Sequence, residues 1–174
     1  MSGSRLPPST GAPAGARRWA SILLWACTLA LSPVGGPARA AADIAERVVA
    51  VGDFQALREA LVDSIEEEGL VVSAIIPFND MLQRTALAAG PAAVSPFLRA
   101  EIVQFCSSRI AWQLLAEDPA QIALCPLSIT IQQTREAPGQ LRLAWRPTAG
   151  STAGRRAADA LLERLVGRAA GLVR

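Results

Sequence analysis

The stretch from residue 53 to residue 77 constrains the fold of this 174-residue chain most strongly. Asp53 is a good N-cap residue, and Gly69 is placed to end the helix that follows it. Between them an apolar residue recurs at helical spacing: Phe54, Leu57, Leu61 and Ile65. Residues 70–76, LVVSAII, are rich in β-branched side chains and stop at Pro77, which predicts a buried strand. A helix followed directly by a strand indicates a mixed α and β domain.

Patterns along the rest of the chain predict the other elements. Ser95-Pro96 is a helix-start signal, because serine is a good N-cap and proline suits the first helical position. It opens the longest predicted helix, residues 95–116, which Asp118-Pro119 closes. The remaining predictions are strands at 47–51, 122–132 and 140–146, a turn at Pro138-Gly139, and helices at 79–88 and 155–172. This order predicts an α+β two-layer sandwich, with a mainly antiparallel sheet packed against helices and a C-terminal amphipathic helix.

Residues 1–40 have the features of a cleavable secretory leader. A pair of arginines precedes a 13-residue apolar run at residues 19–31, and an Ala-Arg-Ala sequence ends at Ala40. The run is short for a membrane anchor, which needs about 20 apolar residues. We therefore expect cleavage after Ala40, a periplasmic location and no membrane association afterwards. An uncleaved anchor, a twin-arginine signal and a lipoprotein modified at Cys27 remain alternatives.

The charges are divided between the leader and the rest of the chain. Four of the 17 basic residues lie in the leader, and all 15 acidic residues lie after it, which leaves 13 basic residues there. This near-neutral balance argues against nucleic acid as a partner. The chain has no histidine, which excludes Ser-His-Asp triads, Cys-His dyads and imidazole ligands for zinc or haem. We favour a non-enzymatic protein, and we expect no cofactor and no metal.

Two cysteines follow the leader: Cys106 in the predicted long helix and Cys125 at the start of the next predicted strand. In an exported protein such a pair indicates one disulfide, worth about 3 kcal/mol on chain-entropy grounds. Two separate buried thiols, a redox-active or sulfur-handling pair, and an incomplete metal site remain alternatives. The redox alternative uses Arg109, whose charge favours a thiolate from the same side of the predicted helix.

Other candidate residues have structural and functional interpretations. Trp112 and Trp145 fit core or dimer-interface positions, or they line a small apolar pocket together with Arg109. The C-terminal helix has an apolar side and an arginine-rich side. It therefore docks on the domain or on a second copy, or lies on a membrane surface.

Three segments together resemble the exported branch of domain-of-unknown-function family 302. They are DFQALREALVDSIEEEGLVV, IVQFCSSRIAWQLLAEDPAQIALCPLSITI and APGQLRLAWRPT. The resemblance covers residues 43–148 and leaves the C-terminal helix outside. It implies a two-layer fold and a homodimer, and no established reaction, cofactor or catalytic residue. The positions to which it points are Cys106, Cys125, Asp118-Pro119 and Pro126. The family commonly has tyrosine in place of Trp145.

The sequence thus divides into a leader at 1–40, a domain at 41–148, and a linker with a C-terminal helix at 149–174. Our first hypothesis is an exported, homodimeric accessory or binding protein with a structural disulfide, whose partner is an unidentified small molecule or envelope protein. The second is a thiol-dependent redox or sulfur-handling protein that uses Cys106 and Cys125. The third is an envelope-interaction protein that acts through the C-terminal helix.

Overall fold

The structure is a computed structural model that describes residues 44–50 and 52–173. The leader prediction, residues 1–40, lies outside these residues. The elements are β1 (Ala45–Ala50), α1 (Phe54–Glu67), β2 (Val71–Ile76), α2 (Phe78–Ala89), β3 (Phe97–Cys106), α3 (Ser108–Glu117), a 3₁₀ helix (Pro119–Leu124), β4 (Leu127–Thr134), β5 (Gln140–Trp145) and α4 (Ala153–Leu172). The predicted α+β sandwich class is confirmed.

The five described strands form one sheet in the order β1-β5-β4-β3-β2, and every neighbouring pair is antiparallel. Because side chains alternate between the two faces of a strand, the sheet has one buried and one open face. The buried face carries the fully buried residues Val103, Phe105, Ile129, Ile131 and Leu143. The predicted turn between β4 and β5 is confirmed at Pro138-Gly139.

α1 and α4 pack against the sheet, and α3 packs against α4. Asp53 caps α1 as predicted, since its carboxylate accepts a 2.9 Å hydrogen bond from the backbone N–H of Ala56. α4 packs against both α1 and α3, and its apolar side belongs to the core: Ala158, Leu161, Leu162, Leu165, Val166, Ala169 and Ala170. The C-terminal helix is therefore docked on its own domain. These seven residues are therefore not available to a membrane surface, and the third hypothesis stays untested.

The predicted helix at residues 95–116 is wrong in its first half. Residues 97–106 form β3, the longest described strand, and the helix begins only at Ser108. Ser107 is its N-cap, because the Ser107 hydroxyl accepts a hydrogen bond from the backbone N–H of Ile110 at 3.4 Å. Consequently Cys106 ends a strand, and the helical spacing between Cys106 and Arg109 does not exist.

The predicted strand at residues 122–132 also starts too early. Asp118-Pro119 ends α3 as expected, but Asp118 then caps the 3₁₀ helix through a 2.9 Å hydrogen bond from the backbone N–H of Ala120. The strand begins at Leu127, so Cys125 lies before β4 rather than in it. In the part of the chain that the structure describes, no helix is both long enough and apolar enough to cross a membrane.

The acidic run at residues 66–68 has partners on α4. Arg168 contacts Glu67 at 3.2 Å and Glu68 at 3.0 Å, and Arg164 contacts Glu68 at 3.5 Å. These pairs are partly exposed, so each is worth at most about 1 kcal/mol. They join the C-terminal end of α1 to α4 at the edge of the core.

Candidate functional site

A groove of about 410 Å³ lies on the open face of the sheet. Its floor is built from strand residues that alternate with the buried core residues: Ile102, Ser128, Thr130, Gln132 and Ala144. One wall comes from the segment before β4, through Leu124 and Pro126, and the other follows β5 through Trp145 and Arg146. The groove thus lies where the three central strands meet two loops.

Apolar and polar groups are both present in the groove. Ile102, Leu124 and Pro126 offer apolar surface, while Ser128 and Gln132 offer a hydroxyl and an amide. The Thr130 hydroxyl is engaged within the sheet, since it donates a 3.2 Å hydrogen bond to the carbonyl of Ala144. Such a lining is typical of small-molecule sites, in which apolar walls enclose a few polar groups.

One exposed positive charge lies on the wall of the groove, at Arg146. It comes directly after Trp145, the last residue of β5. An exposed guanidinium next to apolar surface attracts a carboxylate or phosphate group of a ligand and can hold it with paired hydrogen bonds.

The three residues predicted to line a small apolar pocket, Trp112, Trp145 and Arg109, have different surroundings. Trp145 is half-buried, packs against the core and lines the groove. Trp112 lies on α3 with 76% of its surface exposed, and Arg109 is exposed on the first turn of that helix. Only Trp145 of the three therefore borders the groove. The core interpretation of Trp112 is wrong, and its dimer-interface interpretation stays a prediction.

The structure brings Cys106 and Cys125 together. In the β3–β4 register Phe105 faces Leu127, so Cys106 continues β3 beside the segment that leads into β4. Both side chains are free thiols, and Cys106 is close enough to raise the pKa of the Cys125 thiol. Leu124 and Pro126, the neighbours of Cys125, line the groove, so the pair lies beside one end of it. The disulfide between them stays a prediction.

The two thiols differ in environment. Cys106 is exposed, whereas Cys125 is partly buried. Burial raises the pKa of the Cys125 thiol, and the neighbouring Cys106 raises that pKa further. The alternative of two separate buried thiols is therefore wrong.

Within residues 44–50 and 52–173, no three side chains of the types that bind metals cluster together.

The alternating pattern of β4 is a sequence signal for the groove, and it belongs to no catalytic or binding motif. Residues 127–132, LSITIQ, alternate strictly between apolar and polar side chains, as expected for a strand with one open face. That alternation places Ser128, Thr130 and Gln132 on one surface. The loop residues of the walls carry no comparable pattern, since their positions depend on the tertiary fold.

Comparisons with known proteins agree with this architecture. Residues 46–168 match the family model for the domain of unknown function DUF302. The chain belongs to the DUF302 family. The match extends through most of α4, so this helix is part of the DUF302 domain, whereas the resemblance seen in the sequence ended at Thr148. No curated protein matches the chain.

One similar solved structure is the crystal structure of an uncharacterized conserved DUF302 protein from Bacillus stearothermophilus. The alignment has a TM-score of 0.59 and 17% sequence identity, and it covers 77% of this chain and 100% of that chain. At this level of identity the similarity establishes a shared fold.

Proposed function

We propose that this DUF302 domain is an exported, non-enzymatic binding protein that holds a small amphipathic ligand in the groove on its open sheet face. The groove itself carries the proposal. Its volume of about 410 Å³ falls in the range of roughly 300–1,000 Å³ that is usual for small-molecule sites. Its apolar walls suit a hydrocarbon or ring system, and Arg146 suits an acidic end group.

The absence of histidine supports a binding role over an enzymatic one, since the common histidine-dependent mechanisms are closed to this chain. The groove offers hydroxyl and amide groups for orientation without a base positioned next to them. The apolar walls and Arg146 are suited to a ligand that is held by apolar contacts and one ion pair.

Export rests on the leader features of residues 1–40. β1 begins at Ala45, so cleavage after Ala40 would remove no residue of the sheet. The intact mass of protein recovered from the periplasm of a Gram-negative host tests this part. We expect a chain that begins at Ala41. A chain retained in the cytoplasm with its leader would contradict export and leave the groove hypothesis to be judged separately.

Tryptophan fluorescence tests the groove with decanoate as the probe. Trp145 directly follows the groove-floor residue Ala144 along β5, so its fluorescence should respond to a ligand bound there. Its signal is the difference between the Trp112→Phe variant and the same chain with Trp145→Phe added. We expect decanoate to shift this signal in a saturable way. Decanol, which matches the probe in chain length but has no charge, should bind several-fold more weakly because it cannot pair with Arg146.

Two variants serve as controls for this assay. Ala144→Phe places a ring on the groove floor and should abolish the response to both probes. Arg146→Gln should remove the preference for decanoate while leaving the response to decanol. An unchanged Trp145 signal with both probes, or the same response in Ala144→Phe, would contradict the proposed site.

The homodimer expectation also belongs to this proposal. β2 is an edge strand, and apolar side chains are exposed along β2 and the α2 region, with 75% of Val71 and 93% of Leu87 accessible. Light scattering of the purified protein should give twice the mass of one chain. A monomer mass at all concentrations would remove the dimer from the proposal.

A further inference from the structure

Cys106 and Cys125 differ in their exposure to solvent, and this difference affects which of them an external thiol or disulfide can reach. Cys106 is the last residue of β3 and is exposed to solvent, while Cys125 is partly shielded behind it. A structural staple between buried sulfurs resists exchange, whereas an exposed sulfur can be reached by an external thiol or disulfide. The pair therefore has one accessible sulfur and, close to it, one that is partly protected.

We propose that Cys106 and Cys125 form a reversible thiol–disulfide exchange site, in which Cys106 reacts with low-molecular-weight disulfides and Cys125 resolves the mixed disulfide. This activity does not depend on the groove binding a ligand. It needs only that the two sulfurs lie close together, as the β3–β4 register and the influence of Cys106 on Cys125 indicate.

The exchange proceeds in two balanced steps. The Cys106 thiolate attacks one sulfur of a small disulfide, forming the bond between protein and ligand sulfur while the second ligand sulfur leaves and takes up a proton. Cys125 then loses its proton and attacks the Cys106 sulfur, which releases the remaining ligand as a thiol. The protein is oxidised by two electrons, and the small disulfide is reduced to two thiols.

The environment of Cys125 fits its role as the cysteine that resolves the mixed disulfide. Its pKa is raised by burial and by its neighbour, so it is protonated at neutral pH while the exposed Cys106 meets the external disulfide. Once Cys106 is in a mixed disulfide, Cys125 lies close to the sulfur that it must attack. Proximity then replaces high thiolate content as the source of its reactivity.

Intact mass spectrometry with oxidised glutathione tests this division of roles. All proteins carry Cys27→Ser, so that Cys106 and Cys125 are the only thiols whether or not the leader is cleaved. With both cysteines present we expect loss of two hydrogens and no lasting adduct. Cys125→Ser should accumulate one glutathione at Cys106, and Cys106→Ser should react at least tenfold more slowly.

A static bond is the main competing outcome. We expect dithiothreitol to reopen the oxidised pair in the native state, with thermal melting confirming that each variant is folded. The proposal is overturned if the bond opens only in denaturant, or if the two single-cysteine variants react at equal rates. Because no groove probe is used, failure here leaves the ligand-binding proposal untouched.

Discussion

The carboxylate of Glu117, the last residue of α3, accepts a 2.6 Å hydrogen bond from the backbone N–H of Gly154 in the first turn of α4. The N-terminal N–H groups of a helix lack partners within the helix, and a negative charge there is favourable. Gln121 strengthens the junction, since its amide donates to Glu117 at 3.2 Å and accepts from Arg155 at 2.6 Å. The docking of α4 thus depends on a polar junction as well as on its apolar side.

The close approach at this junction makes Gly154 a position where a side chain is costly. A Cβ atom there would lie 2.9 Å from the Oε2 atom of Glu117 and 3.1 Å from both the backbone nitrogen and the Cδ2 atom of Leu114. We expect Gly154→Ala to destabilise the domain by about 1–3 kcal/mol through overpacking.

Urea unfolding of Gly154→Ala beside Gly167→Ala checks this expectation. Gly167 lies in the same helix, and a Cβ atom there meets nothing within 4 Å. Alanine at that control position should stabilise the domain by about 0.5–1 kcal/mol, because glycine in a helix interior is unfavourable. A similar effect of both substitutions would contradict the close approach of α3 and α4.

The same junction gives the stability of the protein a dependence on pH. Hydrogen bonds from the Thr152 side chain and the Gly154 backbone lower the pKa of Glu117. A lowered pKa in the folded state means that ionised Glu117 contributes stability above its unfolded pKa, about 4.3. That contribution is lost as the pH falls through the lower folded pKa.

Glu117→Gln should therefore lower the melting temperature at pH 7, and the difference from the unmodified protein should shrink at the acid end. Melting curves between pH 3 and pH 7 measure this difference. Glu163→Gln, at an exposed position of α4, is the matched control and should change little at any pH. A pH-independent deficit of Glu117→Gln would exclude the charge as the cause.

The two tryptophans outside the leader should respond differently to truncation. Trp112→Ala removes a side chain that is 76% exposed, so we expect a change within about 0.5 kcal/mol. Trp145→Ala removes a half-buried ring that packs against the core. We expect the free energy of unfolding to fall by about 2 kcal/mol, less than for a fully buried aromatic residue. Equal losses by chemical denaturation would contradict these placements.

The sequence predicted the first half of the domain well because its local signals agree with the tertiary fold. Asp53 caps α1, Gly69 adopts the left-handed conformation with φ 72° after the helix, and β2 ends before Pro77. Each of these signals acts within a few residues, so it can be recognised without knowing what packs against the segment.

The error at β3 arose because its open face is not polar. Ala100 and Ile102 alternate with the core residues Val103 and Phe105, so apolar side chains occur on both faces and the two-residue period is blurred. Ser95-Pro96 then offered a helix start that the chain does not use. Instead, Ser95 donates a 2.6 Å hydrogen bond to the side-chain carbonyl of Asn79, and β3 begins at Phe97.

The sequence predicted that Cys106 and Cys125 could lie close together, but it assigned them to the wrong secondary-structure elements. The expectation that Cys106 and Cys125 could meet stays a prediction, which the effect of Cys106 on the pKa of the Cys125 thiol supports. The two residues lie at the end of one strand and in the segment before the next, rather than on a helix and a strand. Their unequal exposure depends on packing around the 3₁₀ helix, which no local pattern in the sequence reveals.

The contribution of α4 to the core gives the last prediction. Leu165 is fully buried between the helices and the sheet, whereas Leu172, at the end of the same helix, is 62% exposed. Leu165→Ala should cost about 2–5 kcal/mol, since it leaves a cavity, while Leu172→Ala should cost far less. Removal of residues 152–174 should unfold the domain, which circular dichroism would detect. A truncated chain that melted cooperatively near the temperature of the whole protein would mean that α4 is an appendage, and the envelope-interaction hypothesis would then gain support.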